Sequence, residues 1–382
     1  MKRILLAILA LAIIGAGIFF GAVPQWFDGK VNKVLPHAAY EVSAEAKALH
    51  GSIPVADLHA DTLLWLRDPA KRQTRGQTDL VRLREGGVAL QVFTAVTKTP
   101  DKMNIDANAA TSDSLTKLMI GQRWPIRTWG SIYERAAYQA ERLDKLAHDA
   151  PDAFVFVRTK GELHAAREIG ALAGIYGIEG AHPLEGKLEN IDKLYDKGMR
   201  VMGLQHFFDN ELGGSLHGLS GAGLTQFGKD AVDYAEAKEI VIDVAHSSEA
   251  VVRDVLARVT RPVIVSHTGF KGHCDTARNI SDDLMKEIAA RGGLIGAGYW
   301  QEAACATSPA GIADELVYGV NLVGADHVAL GSDFDGAVTT ALDATELAAI
   351  TEALMDRGVD EGTIRKVMGE NAVRFFLAYL PD

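Results

Sequence analysis

The chain has 382 residues, 48% of them hydrophobic and 23% charged, a balance that permits one large core or two modest ones and excludes a disordered chain. Its 39 basic and 50 acidic residues leave a net charge of −11, and no basic run follows the first few residues, which argues against nucleic acid or an anionic surface as the main partner. Two cysteines, Cys274 and Cys305, exclude a disulfide framework; they fit either one bridge in an exported compartment or two free thiols.

At the N-terminus, Lys2 and Arg3 precede an uncharged apolar run over residues 4–23, which Pro24 and the pair Trp26-Phe27 follow. That length can cross a bilayer, and basic residues before it favour export of everything after it, to a periplasmic or extracellular side. The run exceeds a usual signal-peptide core and ends in no Ala-x-Ala site, so residues 1–27 are expected to be an uncleaved anchor. A cleaved signal peptide, which would release a secreted protein, is the rival. Residues 28–52 read as a stalk with an entry helix near 41–49, and residues 53–382 as one catalytic domain.

Eight β-rich apolar runs recur along that domain: 53–58, 88–95, 172–178, 198–204, 240–245, 263–266, 294–298 and 328–331. Amphipathic helices are expected between them at 188–197, 226–238, 248–258, 282–291 and 312–323, with closing helices at 342–356 and 361–380. The alternation predicts an α/β fold, a (β/α)8 TIM-type barrel. The gap at 96–171 must hold an excursion, helical at 106–119 and 131–147, in which 154–157 is either an extra strand or the start of the third unit.

Ionisable residues gather just after these runs. His59 and Asp61 follow the first, Glu179 the third, His206 the fourth, His246 the fifth, His267 the sixth, Tyr299 the seventh and Asp333 the eighth. In a parallel barrel those ends share the face that carries active sites. Residues i and i+2 of an extended chain point the same way, so His59 and Asp61 can offer an imidazole nitrogen and a carboxylate oxygen to one ion. Crowded carboxylates and imidazoles need cations to hold them together; two metal ions suit this set, zinc first, with manganese or iron also acceptable, and Glu179 is placed to bridge them. Such a pair makes hydrolysis by an activated water the natural reaction. Asp335 is the alternative to Asp333 as the active carboxylate, and Tyr299 is a candidate substrate contact. His182, His217 and His273 fall in loops on the same face with no assigned role, and His327 precedes its strand, at the opposite, stability face.

The segments Asp57-Leu58-His59-Ala60-Asp61, Gly177-Ile178-Glu179-Gly180, Leu204-Gln205-His206, Asp243-Val244-Ala245-His246-Ser247-Ser248, Val265-Ser266-His267-Thr268, Ala277-Arg278-Asn279-Ile280-Ser281-Asp282-Asp283 and Gly331-Ser332-Asp333-Phe334-Asp335-Gly336 together resemble the membrane dipeptidase, or renal dipeptidase, family. The resemblance runs through the whole exported part. It implies a barrel of the metal-dependent hydrolase kind with two Zn2+ per chain, one held by His59 and Asp61 and the other by His246 and His267, with Glu179 bridging. It also implies a catalytic carboxylate at Asp333, a histidine for substrate or intermediate at His206, and an arginine at the rim, Arg278, for the substrate carboxylate. A homodimer and a small peptide substrate follow from the same likeness. Residues 207–215 resemble the bacterial branch, whose substrates are less uniform, so the side-chain preference stays open.

The leading expectation is therefore a zinc-dependent dipeptidase. A close rival keeps the site and changes the substrate to N-acyl amino acids, lactams or D-containing dipeptides. A metal-bound binding protein without turnover would be expected to lack part of the ligand set or Asp333. A phosphotriester-type hydrolase would more often bridge its ions with a carbamylated lysine where this chain has Glu179.

Overall fold

The computed structural model of the chain describes residues 2–382. Its strands are β1 (Lys33–Val34), β2 (Val55–Ala60), β3 (Val88–Val96), β4 (Phe154–Val157), β5 (Leu172–Glu179), β6 (Met199–Gly203), β7 (Val241–Asp243), β8 (Ile264–Thr268), β9 (Leu294–Ala297), β10 (Val328–Leu330) and β11 (Thr339–Thr340). Parallel pairing runs β3-β2-β10-β9-β8-β7-β6-β5, and a further β3–β5 pairing closes the ring. The eight strands of that ring are the eight expected apolar runs.

β4 is an extra strand outside the ring. β3 occupies one edge of β5 from Ala173 to Glu179; β4 pairs with Leu172 to Ile175 and β6 with Tyr176 to Ile178, so those two share the other edge. In the excursion, the expected helix at 106–119 forms only as Leu115–Gly121, because residues 104–108 turn back on themselves through the Asn104 and Asn108 side chains. The second excursion helix forms as Ile132–Asp149, capped by Ser131.

All eight barrel strands contribute to one apolar cluster, among them Ala56, Leu90, Ile175, Val201, Val241, Ile264, Leu294 and Ala329, and the C-terminal helix adds Phe376 to it. A cluster fed by every strand is the barrel lumen, and the helix Asn371–Tyr379 closes one end. A larger cluster joins strand residues such as Tyr176 and Ile295 to the helices, through Leu143, Leu194, Val255 and Leu316.

The N-terminal helix runs without a break from Lys2 to Val31, long and apolar enough to cross a membrane. It extends beyond the expected anchor into the expected stalk, and that segment is packed onto the domain. β1 pairs with β11, and Asp28, Asn32 and His50 are buried. Cys274 and Cys305 form a disulfide with their Cα atoms 5.5 Å apart, which joins the loop after β8 to the loop after β9. For a separation of 31 residues, loop-closure entropy sets the scale of such a link at about 3–4 kcal/mol.

Candidate metal and catalytic centre

The expected ligands converge at the C-terminal ends of the barrel strands, all nearly fully buried. The Oε1 atom of Glu179 lies at their centre, 3.1 Å from His246 Nε2, 3.3 Å from His267 Nε2 and 3.5 Å from His59 Nε2. His59 Nε2 is 3.7 Å from Asp61 Oδ1 and 3.9 Å from Asp333 Oδ1. His206 Nε2 stands 3.3 Å from the other carboxylate oxygen of Glu179.

The neighbouring residues orient these rings. Ser266 Oγ lies 3.0 Å from Nδ1 of both His59 and His267. One hydroxyl oxygen can accept from both Nδ1–H groups, which leaves both Nε2 lone pairs turned to the centre. Thr94 Oγ1 donates to Asp61 Oδ1 at 2.7 Å. Asp57 accepts from the backbone of His59 at 2.9 Å and of Ser332 at 3.1 Å, tying β2 to the loop at 331–338. Asp243 accepts from Ser266 N at 2.9 Å. These supporting residues were missed in sequence; the available signal was a carboxylate inside an otherwise apolar strand, as at Asp57 and Asp243.

Backbone conformation also marks the site. His246 has φ +60, and Asp333, Asp335 and Ala337 have φ of +57, +65 and +62, a region costly for residues with side chains and concentrated at functional loops. A side chain at Gly336 would displace the Asp333 carboxylate, since a Cβ would fall 1.9 Å from Asp333 Oδ1. The structure separates the two loop carboxylates. Asp333 lines the cavity, whereas Asp335 is fully buried, 2.9 Å from Arg67 and accepting from Gln77 N at 2.8 Å.

Arg278 lies in the cavity wall and not at a rim, 2% exposed, donating to the His267 carbonyl at 2.6 Å beneath Trp300, whose ring centre is 5.3 Å away. Burial lowers its pKa to about 10, so it stays protonated at neutral pH. Tyr299 departs from expectation. Its side chain is fully buried against Phe334 and does not line the cavity, because the chain turns after β9 and presents Trp300 there instead. His217 donates through Nδ1 to the Ile105 carbonyl, 2.6 Å away, and His182 stacks on Phe208. His273 faces Tyr318, and His327 bonds Gly293 O at 2.9 Å ahead of β10.

The donor chemistry fits metal. His59 Nε2 and Glu179 Oε2 are buried without a hydrogen-bond partner. Three overlapping sets, His59 with Asp61 and Glu179, His59 with His267 and Asp333, and Glu179 with His206 and His246, each bring their donor atoms within 4.8 Å. In the protein alone, burial and the neighbouring carboxylates push Glu179 and Asp333 well above the usual carboxyl range, and burial takes Asp61 to about 7. Burial likewise holds His59, His246 and His267 well below 6.5. A cation is the partner that would let these carboxyls ionise while the imidazoles stay neutral.

Burial, with a smaller contribution from the Lys98 charge, holds His182 down to about 3. In the unfolded chain it titrates near 6.5, so as pH falls through that value the unfolded state takes up a proton and the native state does not; stability falls with pH. Between pH 7 and pH 5 this should cost about 2 kcal/mol. Urea midpoints of wild type and His182→Phe across that window check it: the variant should decline less steeply, and equal slopes would refute the assignment.

The sequence matches the membrane dipeptidase family, peptidase family M19, over residues 43–378. The dipeptidase ataJ of Aspergillus terreus is 26% identical over 328 residues, 78% of this chain and 76% of that one. The crystal structure of the dipeptidase AC, a metallo peptidase of family M19, superimposes with a TM-score of 0.71 at 25% identity, covering 86% of this chain and 99% of that one. A metallo peptidase from Rhodobacter sphaeroides, liganded with a phosphinate mimic of the dipeptide L-Ala-D-Ala, shares the fold with a TM-score of 0.70 at 24% identity over 86% and 99% of the two chains. A match that begins before the first barrel strand and ends in the last helix, on a barrel with clustered metal donors, leads to one conclusion: the chain belongs to the membrane dipeptidase family and is a peptide-bond hydrolase.

Proposed function

We propose that the chain is a zinc-dependent dipeptidase, anchored by residues 4–23 with its catalytic domain on the exported side. The observation that carries this reading is the clustering of His59, Asp61, Glu179, His246 and His267 where Asp333 and Arg278 line the cavity. His59 with Asp61 and His246 with His267 would each hold an ion, and Glu179, central to three of the rings, would reach both. Two bound zinc ions would polarise a scissile carbonyl and make water acidic enough to attack at neutral pH.

The remaining steps belong to side chains. Asp333 takes the proton of the attacking water and returns it to the leaving amine. His206 Nε2 faces the reaction centre, 3.3 Å from Glu179 Oε2, and a proton carried there would be donated to the oxyanion. Arg278 has N–H groups left for a substrate carboxylate after its bond to His267, and a free carboxylate one residue beyond the scissile bond is what a dipeptide offers. The disulfide agrees with an oxidising compartment.

The test is hydrolysis of Ala-Ala, L-Ala-D-Ala, N-acetyl-alanine and Ala-Ala-Ala by the full-length protein in detergent, before and after chelation and zinc addition, with metal analysis. L-Ala-D-Ala is included because a mimic of it is bound in the Rhodobacter sphaeroides relative. Two zinc ions per chain, and cleavage of dipeptides but not the tripeptide that chelation abolishes and zinc restores, are expected. Cleavage of the N-acyl amino acid alone would assign the rival substrate class. No turnover with both ions bound would leave a binding protein.

A further inference from the structure

The cavity above the metal donors, about 850 Å³, is much larger than a small dipeptide needs and falls in the range that holds drug-sized ligands. Its lining includes Asp61, Glu179, Arg278 and Asp333, and also the foot of the N-terminal helix: Phe19, Val23, Trp26, Phe27 and Val31. These five follow steps of four, three, one and four residues, one face of the helix. The foot is clipped to the catalytic loop. Asp28 lies 3.0 Å from Arg67, which is 2.9 Å from Asp335, and Asn32 accepts from Ala337 N at 2.9 Å. Phe27 packs on Trp65, whose indole N–H donates to the Asp335 carbonyl at 2.6 Å.

The same region faces a bilayer by its composition. The apolar run ends at Val23, and Trp26 and Phe27 follow at the level where interfacial aromatics sit. Among the described residues, the large apolar side chains exposed outside this helix are Met103, Ile126, Trp129, Ile169 and Leu219. The first three come from the part of the excursion that precedes its second helix, and the foot rests on that part near Gly121. On the proposed anchoring, the helix forms part of the cavity wall as well as a tether, and the wall begins at the membrane surface.

We propose that the foot of the N-terminal helix is a specificity element, an apolar wall that receives an alkyl or acyl chain carried by the amino-terminal residue of a dipeptide entering from the bilayer surface. This rests on the dipeptidase reading: Arg278 takes the carboxylate end, which leaves the amino-terminal residue to the rest of the cavity, part of whose apolar lining is the helix. The full chain in nanodiscs should be assayed with Ala-Ala and with 2-aminodecanoyl-alanine, whose first residue bears an eight-carbon side chain. Variants Val23→Ser and Phe19→Ser suit the test, since both side chains are 40% exposed and neither belongs to a core cluster. Wild type should favour the alkylated substrate in kcat/KM, and each variant should reduce that preference about tenfold, through KM. An unchanged preference, or equal losses on both substrates, would overturn the wall but leave the dipeptidase reading standing. Failure of wild type to cleave either substrate would overturn both.

Discussion

Replacing Asp333 by Asn should lower kcat on a dipeptide by about 10²–10⁴-fold while leaving KM within a few-fold of wild type, the size of effect a positioned acid–base group supplies. Asn keeps the shape and a hydrogen-bonding oxygen but cannot hold and return a proton. The carboxyl is held by a left-handed backbone at φ +57, with Gly336 pressed against it, so its direction is set by the loop and is retained in the amide. Asp333 also lies within donor distance of His59 and His267, so metal content must be measured in the same sample. Two ions with lost turnover identify a proton carrier; a lost ion would reassign Asp333 as a ligand.

Arg278→Met should reduce kcat/KM for free dipeptides by about 10²–10³-fold, because truncating a buried charge-assisted pair removes several kcal/mol of binding. The decisive readout is Ala-Ala against its C-terminal amide. Wild type should prefer the free carboxylate strongly, and the variant should lose that preference. Arg278→Lys should rescue little, since an ammonium cannot reproduce the paired donors of a planar guanidinium. Arg278 also bonds the carbonyl of His267, so a merely structural role would lower both substrates alike.

The two variants address the scissile bond and the free carboxylate of one substrate, and the disulfide helps hold the arginine in place. Cys274 is four residues before Arg278, and Cys305 follows the Trp300 loop that covers it, so the bridge joins two walls of the site. On the other side, Asp57 and the Arg67–Asp335 pair tie the loop at 331–338 to the first barrel strand and to the helix foot. The reactive groups sit between two cross-braces, one covalent and one ionic.

The barrel was legible in the sequence because each strand writes its own apolar run and each run ends at the same face of a parallel ring. Once eight runs are aligned, His59, Asp61, Glu179, His206, His246, His267 and Asp333 must be neighbours, and no long-range detail is needed to say so. Packing decided what periodicity leaves open. Tyr299 and Trp300 are adjacent in an irregular turn after β9, and only the surrounding core, with Phe334 on one side and Arg278 on the other, determines which enters the cavity. Asp333 and Asp335 are alike in sequence; a distant Arg67 takes one and leaves the other to the metal donors. The cysteines could pair only if two loops met, and the apolar N-terminal run gave no sign that its last turns would line the cavity, because its partners, Trp65, Arg67 and the 331–338 loop, lie far along the chain. Local pattern determined the elements and the face on which the chemistry collects; contacts between residues distant in sequence decided which side chains reach it and what walls them in.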